Sequence, residues 1–563
     1  MSGIVPGTRE VFDVIVVGSG ATGGWAAKEL TEGGLRVALV EAGRNLDPRK
    51  DFTEHVIPYQ IKYRGISSEF AKRRPVQARC YACMEYNYEW FVDDFDNPYT
   101  TPPDKPFTWY RLRILGGRSL VWGRQSYRFS DLDFKAASRD GYGDDWPLSY
   151  SELSPYYDKV EQFIGVSGAT EGLPHLPDGK FLPPMAMTCG EIRLRKAVKE
   201  KLGRTVTIGR AAHLTAPLNG RAPCHYCGPC ERGCMTRSYF NSPGVTIPPA
   251  QATGRLTLIT DAIVSHVTTD PGTAKATGVR YVDRVTRDVR ELRGRVVVVC
   301  AQALESTRIL FNSATPRFPK GLANSSGVLG HYLMDHFWGF GASGTMPMLE
   351  TRPWAGPPQR PNGIYVVRFR NVTDRHPNFI RGYGYQGNSE SEFNFDAEGY
   401  GKNFKEQVKR GEYRISLGGF GECLARWENY CELDKNVVDA WGIPVLHISA
   451  SYGENEVKMG EDMANSAAEM LEAAGAKNIR TDRSINIPGD VIHEVGTCRM
   501  GNDPKKSVLN RFNQAHDVKN LFVMDGSSFV STGCQNPTLN MMALVCRACD
   551  YLLDQAKKGE FGA

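Results

Sequence analysis

The chain has 563 residues, 41% of them hydrophobic and 23% charged, with a formal net charge of +5. That is room for two to four domain-sized units and for a large core without disulfide staples. A balance so near neutral, with no long Lys/Arg block, excludes a dedicated nucleic-acid binder. The apolar run Val296 to Leu304 is too short to span a bilayer, and Leu539 to Leu553 is broken by Arg547 and Asp550, so no membrane span is expected. Met1 to Val11 lacks a basic region followed by an apolar stretch, so no export signal is evident.

The first predicted unit is βαβ. Asp13 to Gly18 is a β-branched apolar run, a buried parallel strand by its composition. It enters Gly18-Ser19-Gly20-Ala21-Thr22-Gly23, then a helical pattern rich in small residues through Leu30, then a second strand from Arg36 that ends in Glu41 and Ala42. Gly18 serves the tight turn, Gly20 the approach of a pyrophosphate, and Gly23 close helix–strand packing. The N–H groups at the helix start favour the pyrophosphate charge, with Ala21 and Thr22 beside it. Glu41 is placed to accept hydrogen bonds from the ribose hydroxyls. The unit stands at the chain start and no second fingerprint follows, which favours FAD over NAD.

Cys80 and Cys83 form a C-x2-C pair with no second pair nearby, read as structural. Gly116-Gly117-Arg118-Ser119 follows. Cys224, Cys227, Cys230 and Cys234 then make a C-x2-C-x2-C-x3-C run, the spacing of bacterial iron–sulfur proteins. Met235 stands where ferredoxins usually carry proline, and there is only one such run, so both [4Fe-4S], the favoured form, and [3Fe-4S] fit. A four-thiolate zinc site and a pair of disulfides are the alternatives. Leu256 to Val267 reads as strand material, with Val264 a candidate cofactor contact. Arg295 to Cys300 reads as a buried strand, and Ala301, another candidate contact, opens the helix that follows. Thr351 to Gly363, rich in Pro and Gly, reads as a mobile loop near the site. Tyr413 to Leu424 alternates as a strand, and Glu454 to Ala474 reads as an amphipathic helix ended by Gly475.

Three further segments, Gly116 to Ser119, His493 to Gly501, and Asp525-Gly526 followed by Asn536-Pro537-Thr538, join the N-terminal fingerprint in one order. Together they make the chain resemble the glucose–methanol–choline (GMC) oxidoreductases over nearly its whole length. Within that family it looks closest to bacterial sugar dehydrogenases with a separate cytochrome partner, the glucoside 3-dehydrogenase catalytic subunit in particular. The resemblance implies an α/β fold: a Rossmann-like FAD-binding domain with an interleaved α+β substrate domain on an antiparallel sheet. Residues 1–45, 110–145, 190–340 and 485–563 are assigned to the first, and 46–109, 146–189 and 341–484 to the second.

Alcohol oxidation moves a hydride from carbon and a proton from oxygen. The flavin takes the hydride, and the protein must take the proton. A neutral histidine suits that step. The resemblance makes His493 the base and Asn536 a donor to the substrate oxygen, since an amide cannot titrate. It adds Gly116, Gly117, Ser119, Asp525, Gly526, Asn536, Pro537 and Thr538 as cofactor-binding residues. Some relatives bind flavin covalently through a histidine where this chain has Val121, so FAD is expected to be non-covalent. The expected substrate is a sugar or glycoside, oxidised at C3 of glucose or a glucoside. Another sugar or polyol (glucose C1, gluconate, fructose, sorbitol), an alcohol oxidase, and a non-catalytic electron-transfer subunit are the rivals. The expected partners are a small subunit carrying an export signal and a cytochrome c, with location in the periplasm and the cytoplasm as the alternative.

Overall fold

The computed structural model describes residues 10–65, 67–347, 359–391, 398–409 and 413–561. β1 (Val11–Val17), α1 (Ala21–Glu32) and β2 (Val37–Val40) form the entry unit. Along the chain follow β3 (Val206–Ile208), β4 (Leu256–Ile259), β5 (Ala262–Thr269), β6 (Ala276–Asp283), β7 (Val289–Val299) and α2 (Ala303–Asn312). Then come β8 (Phe340–Thr345), β9 (Ile364–Val366), β10 (Tyr383–Ser391), β11 (Tyr413–Gly421), β12 (Tyr430–Val438) and β13 (Pro444–Ser449). The chain closes with α3 (Glu454–Ala473), β14 (Lys477–Arg483), β15 (Leu521–Val523) and α4 (Thr538–Lys557).

The first sheet runs β4-β2-β1-β7-β6-β5, with β15 joined to β7. The β4, β2, β1, β7 and β15 pairings are parallel, and β5-β6-β7 is an antiparallel extension. Its central strands carry Val, Ile and Leu side chains buried on both faces, as a parallel sheet under helices requires. α1 packs against it and against α4 through small residues. A Cβ at Gly23 would run into the Gly18 carbonyl. Gly18 itself stands at φ +93°, with the Cys300 carbonyl 2.5 Å from where its Cβ would be. Both glycines therefore hold helix and strand at a distance no side chain permits.

The second sheet is antiparallel, in the order β14-β8-β11-β10-β9-β3. β3 lies in the 190–340 stretch expected with the FAD domain, yet it pairs with β9; three residues too short to read by periodicity have crossed to the other sheet. α3 covers the back of this sheet with Met459, Met463, Met470 and Leu471, all fully buried. Gly419 and Gly421 of β11 make room for it: a Cβ at either would lie 2.5 Å from an atom of Met463. The alternate residues of β11, Ser416, Gly418 and Phe420, face the other way, into the cavity described below. The buried Glu456 carboxylate fixes the start of α3 by accepting the Gly453 and Leu424 N–H groups and the Arg426 guanidinium. Among the described residues no helix is long and apolar enough to cross a membrane.

Gly419→Val should overpack the contact with Met463 and destabilise the fold by about 1–3 kcal/mol, read as a lower denaturant midpoint. An unchanged midpoint would show that α3 does not press on β11 as described.

Candidate active site

A cavity of about 1160 Å³ lies between the two sheets. It exceeds the range of about 300–1,000 Å³ usual for a single small ligand. On the first sheet's side its wall is the β1–α1 turn, the ends of β2 and β5, and the start of α2. On the other it is β8, β10, β11 and β14. Gly18, Gly20, Ala21, Thr22, Glu41, Ala42, Gly117, Ser119, Val264, Ala301, Asp525, Gly526, Asn536, Pro537 and Thr538 all line it. Gly23 and Gly116 do not. Gly23 packs α1 onto the strand, and Gly116 turns at φ +92° against Pro243, so both shape the wall from behind.

The wall near β1 suits a dinucleotide. Gly20 caps α1 with no side-chain hydrogen bond, and a Cβ there would meet only open space, so the first-turn N–H groups are left for an anion. Four buried donors among the lining residues have no partner among the described residues: Arg111 Nε, Arg113 Nη1, Arg124 Nε and Gln302 Nε2. Glu41 accepts the Ser19 N–H and hydroxyl on Oε2 and the Gly43 N–H on Oε1, while burial pushes its carboxyl above the usual range. Asp525 is held by Ser306 and Ser527, and burial raises it too. Val121 lines the same wall, and its side chain offers no nitrogen for a covalent flavin bond.

His493 and Asn536 meet at the far end. Asn536 Nδ2 lies 3.4 Å from His493 Nε2. Gln386, on β10, donates to Asn536 Oδ1 at 2.8 Å, which turns the amide N–H₂ toward the histidine. An N–H₂ group only donates, so His493 Nε2 is the acceptor and the ring proton sits on Nδ1. That proton faces His336 Nδ1 at 3.1 Å. The two imidazoles are thus ordered head to tail, with the unprotonated Nε2 of His493 facing Asn536 on the cavity wall. The His493 ring opens on the cavity but lies deep in the molecule. Burial first, then His336 and Arg118, push it well below the ordinary histidine range. Burial holds His336 down to about 4 against a smaller upward pull from the Gly533 backbone. Both rings are neutral at neutral pH, as a proton acceptor and its support must be.

The loop that carries His493 is pinned by one carboxylate. Asp335 accepts the backbone N–H groups of Gly489 (2.9 Å), Val491 (3.2 Å) and His493 (3.0 Å). Burial and the neighbouring Glu494 push its carboxyl up to about 7 despite those bonds. Glu494 in turn pairs with Arg118 at 2.7 Å, tying the loop to the turn at Gly117–Leu120. Asp335, His336, Gln386 and the Arg118–Glu494 pair went unseen in the sequence. An Asp-His dipeptide between two predicted segments carries no periodicity, and Gln386 reaches the site only through the pairing of β10. The Thr351 to Gly363 loop lies outside the described residues up to position 358, while Arg360 to Gly363 line the cavity.

The four cysteines of the Cys224–Cys234 loop are free thiols; burial first, and then neighbouring thiols, push up Cys224, Cys227 to about 11 and Cys230 to about 12. Backbone N–H groups of Tyr226 and Ser238 approach Cys224 and Cys234 Sγ at 3.4 Å. Among the described residues, however, no three His, Cys, Asp or Glu side chains are grouped to hold a metal ion. The spacing that predicts an iron–sulfur ligand set is present, and a formed metal site is not. Cys80 and Cys83 are buried in an apolar cluster with Leu46, Trp90, Phe91 and Tyr110, in keeping with a structural reading.

A family model described as GMC oxidoreductase matches residues 12–338, and a second, described the same way, matches residues 426–544. The chain belongs to the GMC oxidoreductase family and is a flavin-dependent oxidoreductase acting on CH–OH donors. It is 30% identical to the 2-methyl-1,2-propanediol dehydrogenase of Mycolicibacterium austroafricanum, over 96% of this chain and 95% of that one. It is 28% identical to the fructose dehydrogenase large subunit of Gluconobacter japonicus, over 97% and 98%. A formate oxidase variant of Aspergillus oryzae shares the fold with a TM-score of 0.63 at 13% identity, over 99% of this chain and 100% of that one. These similarities show the family and do not single out a glucoside 3-dehydrogenase.

Two outcomes follow from the geometry. His493 itself should add no acidic limb near 6.5 to the rate of flavin reduction, because it resists protonation, and any limb near 7 should belong to Asp335 and vanish in Asp335→Asn; a limb at 6.5 or above that persists in Asp335→Asn would contradict this. Asp335→Asn puts an N–H₂ group against backbone N–H groups and should slow reduction about tenfold to a hundredfold by displacing His493, with FAD content retained.

Proposed function

We propose that the protein is an FAD-dependent dehydrogenase that oxidises a secondary hydroxyl of a sugar, C3 of glucose or a glucoside being the first candidate, to the keto sugar. The observation that carries the catalytic part is the opposed pair His493 Nε2 and Asn536 Nδ2, 3.4 Å apart on the wall of a cavity that also holds the dinucleotide cradle. A hydroxyl oxygen that takes the place of their direct contact, within reach of both, would donate its proton to Nε2 and accept a hydrogen bond from Nδ2. FAD, when bound, supplies the hydride acceptor. Asn536 stabilises the negative charge that develops on oxygen, and His336 holds the imidazole in the tautomer that can take the proton. The choice of a sugar is supported by the polar cavity face of the second sheet and by likeness to a relative named for fructose. C3 rests on the overall resemblance noted in the sequence.

For the electrons, the proposed acceptor is a cytochrome c beside a small subunit that carries the export signal, which would place the protein in the periplasm. What supports a partner is that one relative is itself named as a large subunit. The Cys224, Cys227, Cys230 and Cys234 loop is proposed as the seat of an iron–sulfur cluster on its spacing alone. The steps above do not run through it.

Anaerobic addition of glucose or a methyl glucoside should bleach the flavin, and NMR of the product from a dye-coupled reaction should show a 3-keto sugar; a lactone would overturn the assigned carbon. Acid precipitation should leave FAD in the supernatant, since Val121 cannot bind it covalently; flavin in the pellet would contradict that. Iron and acid-labile sulfide analysis should find three or four iron atoms per chain, and their absence would remove the cluster.

A further inference from the structure

The cavity extends past the His493–Asn536 pair along the exposed face of the second sheet, and that face has a pattern of its own. Two cross-strand rows run over it. Asn388, Ser416, Ser343 and Arg480 are in register across β10, β11, β8 and β14. Beside them Gln386, Gly418, Gly341 and Asp482 are in register across the same strands. The first row is polar throughout. The second has polar ends and a floor of two glycines, so the sheet is bare between Gln386 and Asp482. All eight residues line the cavity.

Trp338 lies along this trough. Its indole stacks on Phe420, with centroids 5.8 Å apart and planes within 15°. Its Nε1 is 3.3 Å from the position a Cβ would take on Gly418, so the glycine is what lets the indole lie over the strand. Phe420 in turn has its centroid 6.3 Å from that of His493. The indole is therefore one ring contact beyond the group that would take the substrate proton. It is 38% exposed, a large aromatic surface left open in a site lined by polar groups. Among the described residues its N–H has no acceptor, the Arg480 guanidinium has no partner, and Asp482 spends one carboxylate oxygen on Ser484 and leaves the other open.

An aromatic plate flanked by uncommitted donors and acceptors fits a pyranose ring: the C–H face of a sugar lies on the indole, and its hydroxyls reach the polar row. Gln386 is shared between the two places, since it ends the glycine row and also orients Asn536. We infer that Trp338, Gly418, Arg480, Asp482, Ser343 and Asn388 form a second sugar subsite, and that the preferred substrate is a glycoside of at least two rings, oxidised in the ring at His493. This rests on the reading of the protein as a sugar dehydrogenase. A small diol or free monosaccharide would leave the trough filled with water and the Trp338 face unused.

The test compares anaerobic flavin reduction and dye-coupled kcat/KM for glucose, maltose and cellobiose in the FAD-loaded protein and in Trp338→Ala and Trp338→Phe. At least one disaccharide should exceed glucose about tenfold or more in kcat/KM, the worth of a stacked ring. Trp338→Ala should bring that ratio to about unity, and Trp338→Phe should restore most of it. Flavin absorbance confirms that each variant is folded and loaded. A ratio that Trp338→Ala leaves unchanged, or a native preference for glucose over both disaccharides, overturns the subsite while the dehydrogenase reading stands. Failure of every sugar to bleach the flavin overturns both.

Discussion

Four side chains joined end to end across the seam between the two sheets organise the site: Gln386, Asn536, His493 and His336. Each link fixes the polarity of the next. The Gln386 amide decides which end of Asn536 faces the histidine, Asn536 decides which nitrogen of His493 is unprotonated, and His336 accepts the hydrogen bond from the N–H on the other. The chemistry of an alcohol oxidation needs that polarity, since a base with its proton on the cavity side would do nothing. The line draws Gln386 from the antiparallel sheet, His336 from the segment leading into it, and Asn536 from the start of α4. A change in how the sheets meet would therefore reach the base before it reached the cofactor.

The close approaches in the fold serve this seam. Gly23 and Gly18 bring α1 onto β1, so that the helix start opens on the cavity. Gly419 and Gly421 let α3 press on the back of β11, so that Ser416, Gly418 and Phe420 are held flat toward the substrate side. The same strand thus carries two sets of glycines with opposite duties. One set admits methionines from the core, and the other clears a floor for ligand. Asp335 does for the His493 loop what these glycines do for the strands. A buried carboxylate with three backbone N–H donors is a rigid anchor, and burial first, then Glu494, raises its pKa.

Much of the flavin half was legible in the sequence because its signals are local. A β-branched run, a glycine turn, small helical residues and a terminal acid fall within one βαβ unit, and each has one physical reading. The strands within 256–267 and 295–300 and the helix after Ala301 were visible for the same reason. The helix begins two residues late, at Ala303, because Gln302 takes φ +82° in the turn. Candidate residues as far apart as Gly18, Val264, Asp525 and Thr538 line one cavity. What local pattern does not encode is pairing between distant strands. β3 could not be assigned to its sheet from three residues, and Gln386, Trp338 and the polar rows exist as a site only once β8, β10, β11 and β14 are in register. The cysteine run shows the opposite case, a clear spacing whose thiols are not drawn into a metal-holding group.

The central claim is that the Nε2 lone pair of His493 takes the substrate's proton. Stopped-flow measurement of anaerobic flavin reduction in His493→Ala, with a bleaching sugar at saturation, tests it most directly. The account predicts a rate lower by about 10²–10⁴-fold, the usual worth of a positioned base, in protein that keeps its full complement of FAD. A rate within about threefold of the native enzyme would contradict it and return the imidazole to a structural role.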